Sequence, residues 1–251
     1  MSSTLLFMCA VCLALASFLQ GLTGFGFGLT AVALLPLYLP VRDAQTLCTM
    51  VGVFVTSMNV VAARSHYRSE GILPLLFGSC VGVPLGYQFR SMIPESSVRP
   101  WLGAAICLMV IWDAVGRRLR KKSDNGAEAP KPIAVAIGVF SGWLTGAFNI
   151  GGPPLVAYLY ARPWPVQRVV AVLSAIFLAS GLVRLAVIVA DGRVSEPLMT
   201  ATAVSLLPTL AAIALGQRCL SKVHPEILRA GVSVVLFGLG LMFLLSSPGP
   251  G

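Results

Sequence analysis

A succession of apolar runs separated by short polar loops constrains this chain more than any other feature. A helix needs about 20 mostly apolar residues to cross a hydrocarbon core of about 30 Å. Residues 44–63, 71–89, 98–116, 169–190, 197–216 and 227–246 all meet that requirement. With 57% hydrophobic and 11% charged residues, a water-soluble domain of this size would lack the polar surface to cover itself. The chain therefore reads as an all-α polytopic membrane protein whose solvent is the lipid bilayer.

The net charge of +9 does not point to nucleic acid. Its lysines and arginines sit in short loops between apolar runs and are not interleaved with aromatics on one face. The densest group is RRLRKKSDNGAEAPKP at 117–132, with six Lys/Arg against two acids. A loop this basic beside a membrane helix marks the cytoplasmic side. It divides the chain into a first membrane repeat (1–116), a basic cytoplasmic linker (117–132) and a second membrane repeat (133–251).

The halves resemble one another. Phe18, Leu22, Thr23 and Gly24 are matched by Phe140, Leu144, Thr145 and Gly146 at an offset of 122, and Gly86 and Arg99 by Gly216 and Arg229 at an offset of 130. Each half opens with an apolar stretch broken by glycines, 4–40 and 133–162, followed by three ordinary spans. Residues 4–40 as one helix would run about 55 Å, and 133–162 folded at its centre gives two arms of about 22 Å. Both openings are therefore expected to be hairpins whose tips lie inside the membrane.

Charge counting separates the hairpin from a single crossing. With hairpins, Arg64, Arg68, the six linker cations, Arg162, Arg168, Arg218, Lys222 and Arg229 lie inside, against Arg42, Arg90, Arg99 and Arg193 outside: 13 against 4. With single crossings the counts are 9 and 8, with Arg193 moved inside. Only the hairpin topology obeys the positive-inside rule. Each half then reverses direction, so the halves become inverted repeats, as in many secondary transporters.

The tips read QGLTGFGFG (20–28) and GWLTGAFNIGGPP (142–154). Irregular backbone at membrane depth survives only when buried in protein or lining a watery cavity. A helix restarting after each tip aims free N–H groups and a partial positive charge at that cavity, a setting that suits anions. The expected substrate contacts are Gln20, Thr23, Gly24, Gly26 and Gly28 from the first tip. Those from the second are Thr145, Gly146, Asn149, Gly151, Gly152 and Pro153. The competing reading is close helix packing through small residues.

The thirteen inside cations and four outside leave one over. Arg184 lies within the 169–190 span, where a charge is costly and marks function unless it snorkels to the interface. Its equivalent in the first half, at an offset of 125, is Asn59, another candidate for the cavity wall. No Asp or Glu occupies a span centre; Asp113 and Asp191 sit at span ends. His66 and His224 lie in loops and read as surface residues. The six cysteines fall in or beside apolar runs, so neither a disulfide framework nor a metal site is expected, the Cys9-x-x-Cys12 pair lacking a companion cluster. Residues 4–19 lack the positive n-region of a signal peptide and read as a retained membrane segment.

On the stretches GLTGFGFG (21–28) and GAFNIGGPP (146–154), the four-segment halves and the central hydrophilic loop, the sequence resembles the TauE/SafE family of membrane transporters, also described as sulfite exporters. The resemblance covers essentially the whole chain. It implies movement of a small anionic substrate such as sulfite, sulfoacetate or another organic acid across the plasma (inner) membrane, without a cofactor. Alternating access at the repeat interface is the expected mechanism. An anion channel and a non-transporting membrane subunit are the alternatives. An enzyme is not expected, because the spans offer no facing nucleophile, base or metal ligands. The sequence leaves formation of a homo-oligomer open.

Overall fold

The computed structural model describes residues 1–67, 72–120, 131–162, 164–219 and 225–245, and among these the side chains of Thr23, Asp113, 116–120 and 225–232 lie outside the description. The expectations on Arg68, on the centre of the basic linker, and on Lys222 and His224 therefore fall outside the described residues, as do the side chains of Thr23, Asp113 and Arg229.

The described residues form helices without strands: α1 (Ser3–Thr23), α2 (Phe27–Leu34), α3 (Val41–Ala63), α4 (Leu73–Met92), α5 (Glu95–Arg120), α6 (Lys131–Phe148), α7 (Gly152–Tyr160), α8 (Val166–Ala190), α9 (Glu196–Cys219) and α10 (Pro225–Leu245). Each expected span falls on one of them. Among the described residues, five helices are long and apolar enough to cross a membrane: α1, α3, α6, α8 and α9. The outer faces of α4, α9 and α10 carry exposed Phe77, Leu207 and Val234 respectively, an arrangement that an apolar solvent rewards.

Both openings are broken, but their arms are unequal. In the second, an 18-residue α6 of about 27 Å is followed by a 9-residue α7 of about 14 Å, where two arms of about 22 Å were expected. The break falls late because α6 keeps its hydrogen-bond ladder until Asn149, which adopts φ 63°. In the first, α1 ends at Gly24, with φ 78°, and the short α2 is continued by a 3-10 turn at Leu35–Leu37. The closing N–H of Gly24 bonds the Gln20 carbonyl at 2.7 Å, and that of Asn149 the Thr145 carbonyl at 2.9 Å. Both helices thus stop with a left-handed residue, the common αL cap.

The elements of the two halves correspond at an offset of 125: α2 starts at Phe27 and α7 at Gly152, α3 at Val41 and α8 at Val166. The match of the two L-T-G triplets at 122 is displaced from this register by three residues, nearly one helical turn. Gly24 is the counterpart of Asn149 because both supply the left-handed cap, and Gly21 is the counterpart of Gly146.

Packing follows the same exchange of halves. Helix α1 lies on α9 as α6 lies on α4, while α3 faces α8 and α5 faces α10. The closest approach is between α4 and α6, where Gly78, Gly82 and Gly86 oppose Gly138, Gly142 and Gly146. A Cβ on Gly82 would stand 2.2 Å from the Val139 carbonyl oxygen and one on Gly146 2.0 Å from that of Val83. Gly21 and Gly216 make the equivalent contact between α1 and α9, their Cα region within about 3.0 Å of an added Cβ. Without a hydrophobic drive between helices in lipid, such backbone proximity supplies much of the association.

Candidate functional site

The two breaks meet. A Cβ on Gly28, at the start of α2, would lie 2.4 Å from the carbonyl oxygen of Asn149, so the backbones of the first and second openings are in contact there. Beside this contact is a cavity of about 80 Å³, room for a few water-sized groups.

The first opening lines it with Gln20, Phe25, Gly26, Phe27, Gly28 and Leu29, and the second with Thr145, Asn149, Ile150, Gly151, Gly152 and Pro153. Cys48, Thr49, Gly52, Val53 and Thr56 of α3 and Phe177 and Gly181 of α8 complete the wall. Among the described residues, no charged side chain lines it.

The donors are backbone and amide groups. The first N–H groups of a helix lack intrahelical acceptors. In α2 the Phe27 N–H is taken by the side-chain oxygen of Gln20 at 3.1 Å, and Thr30 N–H bonds the Gly26 carbonyl. That leaves the N–H groups of Gly28 and Leu29 at the cavity. In α7, Pro153 and Pro154 have no N–H, so the first turn offers those of Gly152 and Leu155 alone. The Asn149 amide adds a donor, held 3.0 Å from the Cys48 sulfur. The hydroxyls of Thr49, Thr56 and Thr145 each donate to a carbonyl one turn back, to Gln45, Gly52 and Ser141 respectively, and so face the cavity as acceptors.

Of the residues nominated from sequence, Gln20, Gly26, Gly28, Thr145, Asn149, Gly151, Gly152 and Pro153 are brought together at this cavity. Gly24 packs against Val170, with a Cβ there 2.9 Å from its Cγ2. Gly146 packs on α4. Asn59 lies farther along α3, where its side-chain oxygen accepts a 2.8 Å hydrogen bond from Gln217.

Arg184 stands directly behind the wall. It is 1% exposed, so it does not snorkel. Its guanidinium donates to the Gly146 carbonyl at 3.3 Å, to the Gln45 carbonyl at 3.1 Å and to the Thr49 hydroxyl. The Gly146 carbonyl belongs to the last turn of α6, whose carbonyls lack intrahelical donors and carry the negative end of the helix dipole. The next, Ala147, receives the Gln45 amide at 3.3 Å. Arg184 thereby ties α8 to α3 and α6, and its partner Thr49 is itself part of the cavity wall.

The α3 contribution was missed, although a signal for it exists. Gln45, Thr49, Gly52, Thr56 and Asn59 recur at steps of four and three, a polar and small stripe on one face of an otherwise apolar helix. The matching stripe on α8, at the 125 offset, contains Ser174, Phe177, Gly181 and Arg184.

A second, smaller pocket of about 30 Å³ lies on the other side of Arg184. It is lined by Arg42, Gln45, Thr46, Tyr87, Arg90, Ser91, Arg184, Ile188 and Arg193. At its rim Glu95 bridges Arg42 at 2.6 Å and Arg90 at 3.2 Å. Asp191 accepts from Arg193 and, at 2.8 Å, from the Tyr87 hydroxyl. The hydrogen bond from Arg193, then that from Tyr87, hold the Asp191 carboxyl below the usual carboxylate range.

Comparison with known proteins finds relatives along nearly the whole chain. The chain is 23% identical over 240 residues to a probable sulfite/organosulfonate exporter TauE of Cupriavidus necator, covering 91% of this chain and 90% of the relative. It is 24% identical over 248 residues to a probable membrane transporter protein of Methanocaldococcus jannaschii, covering 90% and 91%. No solved structure matches the chain. The family match runs from residue 9 to residue 243, nearly the whole of the helical assembly. The chain is a membrane transporter, not an enzyme, and belongs to the sulfite exporter TauE/SafE family.

Proposed function

We propose that this transporter exports a small anion such as sulfite, sulfoacetate or another organic acid across the plasma (inner) membrane by alternating access, with the cavity between the two helix breaks as the substrate site. The observation that carries the reading is the contact of Gly28 with Asn149 beside a shared cavity. Two interrupted helices from different halves share one cavity, the arrangement by which secondary transporters hold a solute while their halves rock around it. The Gly28, Leu29 and Gly152 N–H groups and the Asn149 amide supply donors suited to an oxyanion, and Arg184 adds positive potential through Thr49. Sulfite and organosulfonate enter as the solutes named for the Cupriavidus relative.

The same reading sets the two halves in opposite orientations. Arg42, Arg90 and Arg193 share one pocket, which supports the topology in which both openings are hairpins; single crossings would put Arg193 on the opposite face from the other two.

Gly152→Leu tests the site. A Cβ at Gly152 meets Phe177 and Phe25 at ordinary distances of 3.6 and 3.9 Å, so the longer side chain enters the cavity without forcing the backbone. In liposomes, wild-type flux of labelled sulfite or an organosulfonate should saturate, and the variant should fold yet lose flux. Normal transport by Gly152→Leu removes the site. Flux that never saturates favours a channel, and no flux across a broad anion panel favours a non-transporting subunit.

A further inference from the structure

The pocket beyond Arg184 is unlike the central cavity. Four arginines line it, Arg42, Arg90, Arg184 and Arg193, and among the described residues no acid does. The acids nearby are Glu95 and Asp191 on the rim, and Asp43 beside Arg42, so four cations stand against three anions. Among the described residues, the hydrogen-bond partners of Arg184 are carbonyl and hydroxyl oxygens. Arg90 is 4% exposed, and its Nε–H is buried with no acceptor among the described residues. A buried guanidinium donor without a partner carries a desolvation cost that an anion would offset.

We propose that this pocket is a second anion-binding site, a vestibule in series with the central cavity, which takes a small oxyanion (sulfonate, sulfite or carboxylate) and passes it to the cavity across Arg184. The protein already sets a carboxylate at its rim: Glu95 bridges Arg42 and Arg90 in the way that an incoming carboxylate or sulfonate would. Planar guanidinium groups suit such ligands. Arg184 stands between the two compartments, lining the vestibule and touching Thr49 of the cavity wall. In this conformation its bonds to α3 and α6 close the passage between them. The inference rests on the solute being an anion, and its site is distinct from that tested by Gly152→Leu.

The test uses the full chain in detergent and in liposomes, with sodium sulfite, isethionate, acetate and phosphate as probes against sodium chloride at equal ionic strength. At least one oxyanion should raise the unfolding temperature. Arg42→Gln and Arg193→Gln should each raise the half-maximal concentration about tenfold, as expected for loss of one charge-assisted contact. Arg193→Lys should recover most of it. The Gly152→Leu protein should keep this response, because its obstruction lies on the other side of Arg184. In liposomes of known orientation, Arg193→Gln should raise KM about tenfold for solute offered at the vestibule face, with a smaller change from the opposite face. The vestibule is overturned if no probe stabilises the wild type, if both glutamine variants respond like it, or if Gly152→Leu alone abolishes the response. Loss of the cavity reading has a different signature: Gly152→Leu transports normally while the vestibule response remains.

Discussion

Asn149 joins a backbone task to a chemical one. Its left-handed conformation ends α6, and its amide stands at the cavity wall. The two roles separate by substitution. Glycine accepts φ 63° without strain but has no amide, whereas alanine lacks the amide and also resists the conformation by about 1 kcal/mol. Asn149→Gly should therefore unfold near the wild-type temperature and raise KM, while Asn149→Ala should do both, raising KM and unfolding earlier; a thermal scan and a flux titration on each variant decide it. Wild-type KM in Asn149→Gly would take the amide out of the substrate site. The left-handed cap also explains why the repeat register was not fully legible. Gly24 and Asn149 do the same work with different side chains, so the eye follows the two L-T-G triplets instead and lands three residues away. Gln20, Gly28 and Gly152 were legible because a glycine-broken helix at membrane depth has few places to go.

The helix pairs depend on contacts that leave no room for side chains. On α4, Gly78, Gly82 and Gly86 form one face, and α6 meets it with Gly138, Gly142 and Gly146. Gly82→Leu must push the α6 backbone away from a 2.2 Å approach, and overpacking of this kind costs about 3 kcal/mol. It should lower the unfolding temperature sharply, whereas Phe77→Ala, on the 67% exposed face of the same helix, should change it little. Equal effects from the two would mean that α4 and α6 are not held by this surface. The glycines of α4 and α6 are visible in the sequence at steps of four, yet their partnership is not, because nothing local says which helix meets which. The same limit hid the role of Gly146: a glycine before a break looks like a ligand contact until its neighbour Val83 is known. The α3 stripe from Gln45 to Asn59 is the reverse case, a periodic signal strong enough to have been read.

Across the whole molecule, charge separates two ends of the assembly. Arg42, Arg90 and Arg193 converge on one pocket, with Tyr87 and Glu95 binding the loops around it. Elsewhere, Arg162 lies over the rings of Tyr158 and Trp164 at 4.7 and 4.8 Å, and Arg168 over Trp164 at 4.0 Å, an aromatic and basic group of the kind that anchors helices at the membrane interface. Arg193 follows α8, while Arg162 and Arg168 lie at its start, so one crossing by α8 puts the two groups on opposite faces. Hairpin openings then require Ser195 outside and Ser65 inside; single crossings require both inside. Both serines are exposed. In a chain whose six cysteines are replaced, Ser195→Cys should react with an impermeant maleimide added to right-side-out vesicles, and Ser65→Cys should react only after permeabilisation. Labelling of Ser195→Cys that also waits for permeabilisation would give the two halves the same orientation. The two breaks could then no longer exchange access to one cavity from opposite faces, and alternating access by inverted halves would fail while the family assignment stood.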